Sequence, residues 1–140
     1  LRSGLVLAGA DRREGAAAGG EDGILTAEEM AALDLRGVDL VALSACDTGR
    51  GEVATGEGIF GLRRAIEIAG ARSVLMSLWT VPDQPSSRFM TRFYRDRLAG
   101  TSAPEAARAA ALAALTDLRD REVPEHPYLW AGFVTAGDWR

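Results

Sequence analysis

Short apolar runs alternate along the chain with longer segments in which apolar residues recur every three to four positions. The runs at 5–8, 38–45, 72–80 and 128–136 have the length and the aliphatic and aromatic content of strands. The run at 38–45 is apolar at nearly every position, which predicts a strand buried on both faces, as in parallel sheets covered by helices. Ile59, Phe60, Leu62, Ala65, Ile66 and Ala69 recur at helical spacing, with Arg63, Arg64 and Glu67 opposite and Gly70 as a stop. Phe89, Met90, Phe93, Tyr94 and Leu98 make a second stripe, in a helix that opens near Asp83 and Pro85 and ends at Gly100. Ala106, Ala109, Ala110, Leu112 and Ala113 make a third, with Ser102 and Glu105 spaced as a capping box. Thr26 and Glu29 have the same spacing before a short helix through Met30, Ala31 and Leu33. Pro124 and Pro127 bracket a turn, and residues 9–23, rich in Gly, Ala and charge, predict a mobile surface loop. Strands alternating with helices predict a layered α/β fold, with the strand at 72–80 parallel and adjacent to that at 38–45.

Composition narrows what such a fold can do. A length of 140 residues suits one domain, and 47% hydrophobic residues suffice for a packed core. No apolar run approaches the roughly 20 residues that span a bilayer, and the N-terminus lacks a signal-peptide pattern. The sequence begins at Leu1 and not at Met, which reads as a fragment or a processed product. All 16 basic residues are arginines, interspersed with carboxylates at a net charge of −4. That pattern is a solvated surface and carries no electrostatic footprint for nucleic acid or an anionic membrane. One cysteine and one histidine exclude an intrachain disulfide, a cysteine-cluster metal site and a histidine-rich one, and fit a reducing cytoplasm.

The lone cysteine is the most chemically informative residue. Cys46 stands where the 38–45 run gives way to Asp47-Thr48-Gly49, so a strand end would lift it to where a substrate can reach it. A thiol so placed is a candidate nucleophile, and a small apolar filler is the other reading. Trp79 and Asp83 follow the neighbouring strand. They would line a pocket beside Cys46, because ligand sites in such sheets gather at strand carboxyl ends; core packing and helix capping are their alternatives. Asp47-Thr48-Gly49 also spells the aspartic-protease triplet. That chemistry needs a second carboxylate from a repeat or a symmetric partner, and turn bonding by Asp47 and Thr48 accounts for it more simply. Gly56-Glu57-Gly58-Ile59-Phe60-Gly61 matches the dinucleotide-binding glycine pattern. Ten residues separate it from the strand end at Ala45, however, and Glu57 would stand beside the phosphates. A phosphate-cradling loop of the lysine type is excluded, since the chain has no lysine. His126, the sole imidazole and so the one possible histidine base within this chain, lies in Glu125-His126-Pro127-Tyr128; a base for the thiol is one reading, and a turn residue bonded to backbone is the simpler one.

Taken in order, Leu43-Ser44-Ala45-Cys46-Asp47-Thr48-Gly49, Gly56-Glu57-Gly58, Gly61-Leu62-Arg63-Arg64-Ala65, Ala69-Gly70-Ala71-Arg72-Ser73-Val74, Ser77-Leu78-Trp79, Phe93-Tyr94, His126-Pro127 and Trp130-Ala131 resemble the CHAT family of caspase-like proteins almost from end to end. The resemblance implies a caspase-like, mostly parallel sheet with helices on both faces. It also implies, in active members, a Cys-His endopeptidase that needs no metal or organic cofactor. Cys46 falls on the nucleophile position, and Asp47 and Ser77 join Trp79 and Asp83 as candidate substrate-binding residues. The family's catalytic histidine precedes the cysteine in a His-Gly motif, and residues 1–7 resemble the stretch that follows it. The chain then reads as the C-terminal portion of one CHAT domain, 1–140, inactive alone because the dyad histidine lies upstream of residue 1. The expected partners are a protein or peptide substrate, the upstream half of the domain, and tetratricopeptide-repeat or other sensor modules; several members act in bacterial defence or regulated proteolysis. The alternatives are a catalytically silent CHAT interaction or signalling module, or a nucleotide-binding α/β domain that uses the 56–61 glycine loop.

Overall fold

The computed structural model describes residues 4–8, 10, 23–44 and 57–138. Most of the 9–23 segment expected to be a loop lies outside the described residues, as do Cys46, Asp47 and Gly56. The chain divides into two compact units, Leu1–Val38 with Asp47–Ala71, and Asp39–Cys46 with Arg72–Arg140.

In the first unit β1 (Gly4–Val6) pairs antiparallel with β2 (Ile24–Thr26), a strand that the sequence pattern did not announce. The short helix α1 (Ala27–Ala31) starts at the predicted capping box. The Thr26 hydroxyl accepts from the Glu29 amide at 3.2 Å, and the Thr26 amide donates to the Glu29 carboxylate at 2.8 Å. Helix α2 (Glu57–Ala69) packs against α1 and buries Leu62, Ala65, Ile66 and Ala69. Arg63 and Glu67 pair at 2.9 Å one turn apart. Phe60, expected on the buried stripe, is 60% exposed. It stands two positions before Leu62, which at about 100° per residue turns it to the far side of the helix. Gly70 ends the helix at φ 103°. A Cβ there would come within 2.8 Å of Arg36 Cγ, and the Leu35 amide donates to the Ala69 carbonyl at 2.8 Å, so the segment before β3 lies close over this helix end.

The second unit is built on the sheet β3 (Leu40–Leu43), β4 (Ser73–Ser77) and β5 (Phe133–Gly137), in the order β3-β4-β5. β3 and β4 are parallel, in register from Leu40↔Ser73 to Leu43↔Met76. β5 runs antiparallel to β4, from Ser73↔Gly137 to Ser77↔Phe133. The reason lies in the connection. One crossover helix returns a chain to the start of the sheet, whereas the two helices α3 (Asp83–Leu98) and α4 (Ala103–Asp120) fold back on each other and leave it at the end where it departed. β4 is buried at all five positions; β3, expected to be buried on both faces, is half-buried throughout. Among the described residues β3 pairs with one strand, whereas β4 lies between two.

The core of this unit joins Leu75 to Phe89 and Phe93 of α3 and to Ala103, Ala106, Ala107 and Ala110 of α4, with Ala42 and Phe133 packed alongside. Small alanine side chains let α4 approach closely, and the Phe89 ring lies 4.4 Å from that of Phe133. The opposite sheet face carries Val41, Val74, Met76 and Val134, so both faces are apolar, as in α/β sheets. Tyr94, Leu98 and Leu112 leave the predicted stripes, at 44%, 88% and 43% exposed. The buried line of α3 is Ser86, Phe89 and Phe93, and Tyr94 and Leu98 lie beyond its edge. The predicted box at Ser102 does not form: the Ser102 hydroxyl donates to the Glu105 carboxylate at 2.7 Å and caps no amide. The last strand covers 133–137 instead of 128–136, because Pro127–Leu129 is a 3-10 turn.

Candidate functional site

The parallel strands β3 and β4 end side by side, with Leu43 opposite Met76. Ser44 is the last described residue after β3, so the candidate nucleophile Cys46 and its neighbour Asp47 lie outside the described residues. What can be built is the wall that β4 contributes. Ser77, the last residue of β4, is 5% exposed. The Leu78 amide donates to the Gly132 carbonyl at 2.8 Å, which extends the pairing one step past the strands. Trp79 follows, half-buried. Val81 turns inward at 3% exposed, and its carbonyl accepts from the Ser86 hydroxyl at 3.3 Å. The Ser86 amide donates to the Pro82 carbonyl at 3.0 Å, so the corner between β4 and α3 is held from inside.

Asp83 opens α3 and is exposed. Pro82 occupies the cap position and no side chain caps this helix, so Asp83 is not the cap. Its carboxylate has no hydrogen-bond or ion-pair partner among the described residues, and a negative charge in the first turn suits the helix dipole.

Trp79 is held on several sides. Its indole Nε1–H donates to the Tyr128 carbonyl at 3.1 Å, and the two rings lie nearly parallel, 13° apart with centroids at 6.4 Å. Gly132 stands beneath it: a Cβ there would meet Trp79 Nε1 at 3.2 Å and Val81 Cγ2 at 2.4 Å. His126 caps the 3-10 turn, its Nδ1 accepting from the Tyr128 amide at 3.2 Å, as expected of a turn residue. Trp130 Nε1–H donates to the Glu125 carbonyl at 3.2 Å. The Glu125 carboxylate pairs with Arg119 of α4 at 2.8 Å, which holds its carboxyl below the ordinary glutamate value, chiefly through their hydrogen bond. Tyr128 and Gly132 are the site-forming residues that sequence reasoning missed. His126-Pro127 and Trp130-Ala131 flagged their neighbourhood, but nothing in the sequence connects it to Trp79, 49 residues earlier.

A cavity of about 400 Å³ lies at the other end of the sheet. It is lined by Ser73, Thr135 and Asp138 with the first turn of α4, away from Trp79 and Asp83. Among the described residues no cluster of His, Cys, Asp and Glu could hold a metal ion, and no helix is long and apolar enough to cross a membrane.

Two parallel strands, the second leading from its carboxyl end to an aromatic and an acidic residue, backed by a helical hairpin and closed by an antiparallel strand, define an α/β domain with its candidate site at the strand ends. Residues 1–138 match the CHAT domain, and the chain belongs to that caspase-like family. It is similar to tetratricopeptide repeat protein 28 of Mus musculus, 38% identical over 115 residues, and to tetratricopeptide repeat protein 28 of Homo sapiens, 37% identical over 114. Each comparison covers 81% of this chain and 4% of the relative, so the chain spans a small part of the length of the curated relatives it matches. Both are mammalian and are named for tetratricopeptide repeats.

Proposed function

We propose that this chain is the cysteine-bearing part of a caspase-like cysteine endopeptidase domain, with Cys46 as nucleophile. Position carries the reading: in the sequence Cys46 is two residues beyond Ser44, and two residues of chain reach at most about 7 Å. β3 is parallel to and paired with β4, and the chain leaving β4 presents Trp79 and Asp83. The thiolate attacks the peptide carbonyl to form a thioester. An imidazole takes the thiol proton and passes it to the leaving amine, and water then hydrolyses the thioester. Backbone amides hold the oxyanion, each worth about 3–4 kcal/mol. His126 is engaged at Nδ1 by the Tyr128 turn, so the base is an imidazole from outside these 140 residues. The exposed Asp83 carboxylate receives Arg or Lys before the scissile bond, with Trp79 as the wall and Asp47 and Ser77 as the remaining substrate-binding positions. Tetratricopeptide-repeat modules in the same longer protein are the natural companions, and a single free cysteine suits a reducing cytoplasm.

The test is a peptide chloromethyl ketone ending in arginine, applied to the protein supplied with its histidine-bearing segment and read by mass spectrometry. Alkylation at Cys46, lost in Cys46→Ser and far faster than with a simple alkylating agent, supports the reading. Equal rates with both reagents sink it. A second reading, a catalytically silent CHAT module, is favoured for these 140 residues by themselves, because their one histidine is built into a turn. It predicts no preference for the peptide reagent.

A further inference from the structure

We propose that His126 is a positioning residue, which holds the Trp79 indole at the carboxyl end of β4 through the turn that it caps. The consequence for substrate rests on the peptidase reading above; the cause is geometric. His126 Nδ1 accepts from the Tyr128 amide at 3.2 Å. The carbonyl of that same Tyr128 accepts from Trp79 Nε1–H at 3.1 Å, and its ring lies nearly parallel to the indole, with centroids 6.4 Å apart. One residue thus carries the cap on one side and the tryptophan on the other. The base of the turn is fixed separately, by Trp130 on the Glu125 carbonyl and Arg119 on the Glu125 carboxylate, and its backbone is closed by the Leu129 amide on the His126 carbonyl at 3.0 Å and the Ala131 amide on the Pro127 carbonyl at 2.8 Å, so losing the cap releases the Tyr128 amide alone and loosens Tyr128 within a turn that stays in place. An amide in the first turn of a short helix has no internal partner, which is why a side-chain acceptor at this position decides the conformation. Asparagine offers an acceptor there; alanine does not.

The indole N–H resonances in a ¹H–¹⁵N spectrum of the 140-residue chain, assigned by Trp→Phe variants, read the effect directly. His126→Ala should shift the Trp79 resonance and speed its exchange with solvent several-fold, and His126→Asn should return both to the parent values. If the alanine variant does not fold, His126→Gln, whose longer side chain misplaces the acceptor, stands in. In the protein supplied with its histidine-bearing segment, alkylation of Cys46 by the arginine chloromethyl ketone should need a several-fold higher half-saturating concentration in His126→Ala, with little change in the maximal rate. His126→Asn should restore it. An unmoved Trp79 resonance in His126→Ala, or one that His126→Asn fails to recover, overturns the proposal. A parent that shows no peptide-directed alkylation overturns the peptidase reading instead, and the indole resonance then decides the positioning role by itself.

Discussion

Gly132 shows how tightly the ground beneath Trp79 is filled. A methyl there would sit 2.4 Å from Val81 Cγ2, on a stiff side chain that is itself buried. Gly132→Ala should therefore cost about 1–3 kcal/mol in denaturant titration, the usual range for overpacking, and displace the indole as well. Asp83 is the opposite case, exposed and without a partner among the described residues, so removing its charge should leave the fold intact. Asp83→Asn should erase a preference for Arg or Lys over neutral residues in the peptide reagent; an unchanged profile rejects this role. Glu125 carries the pH prediction. Its carboxyl is held below the ordinary value by Arg119. A carboxyl depressed in the folded state contributes stability above its unfolded value and loses it as pH falls through the folded one. Arg119→Gln should raise the Glu125 titration midpoint in carboxyl NMR. Trp79 and Asp83 could be singled out from the sequence because each follows a recognisable strand. Tyr128 could not, because its role depends on which residue the returning chain meets.

Among the elements, capping separates two sites that look alike in sequence. Thr26 and Glu29 form both bonds of their box, while Ser102 and Glu105 bond to each other and leave the α4 amides uncapped. Thr26→Ala should cost about 0.5–2 kcal/mol, the usual worth of an N-cap, and raise exchange at the Glu29 amide. Ser102→Ala should cost distinctly less, and equal costs would refute the distinction. The three helical stripes were legible to within one turn, since a 3.6-residue period marks the apolar face whatever it packs against. Their edges were not. Tyr94, Leu98 and Leu112 are apolar residues at the rim of a stripe, and only the angle at which a neighbouring element lies decides whether a rim position is covered.

For the molecule as a whole, β5 has one partner strand among the described residues, β4. The Leu78 amide bonds to Gly132 and the Asp138 amide to Arg72. By antiparallel alternation Val134 and Ala136 then face β4, and Phe133 and Thr135 turn their amides to the open side. Hydrogen exchange should find Val134 and Ala136 protected and Thr135 fast; a protected Thr135 means that a further strand covers this edge. The sequence by itself determined the α/β class, the parallel pairing of the strands around 38–45 and 72–80, and the CHAT membership. Apolar periodicity and ordered motifs are properties of the chain taken in order, and they survive without knowledge of any contact. The antiparallel return of β5, the unformed cap at Ser102 and the clasp of Tyr128 and Gly132 around Trp79 were decided by tertiary structure alone. The return of β5 and the clasp depend on the distance between residues far apart in sequence, which the packing of α3 against α4 sets, and the cap turns on which way the Ser102 hydroxyl points in the folded helix; no local pattern encodes either.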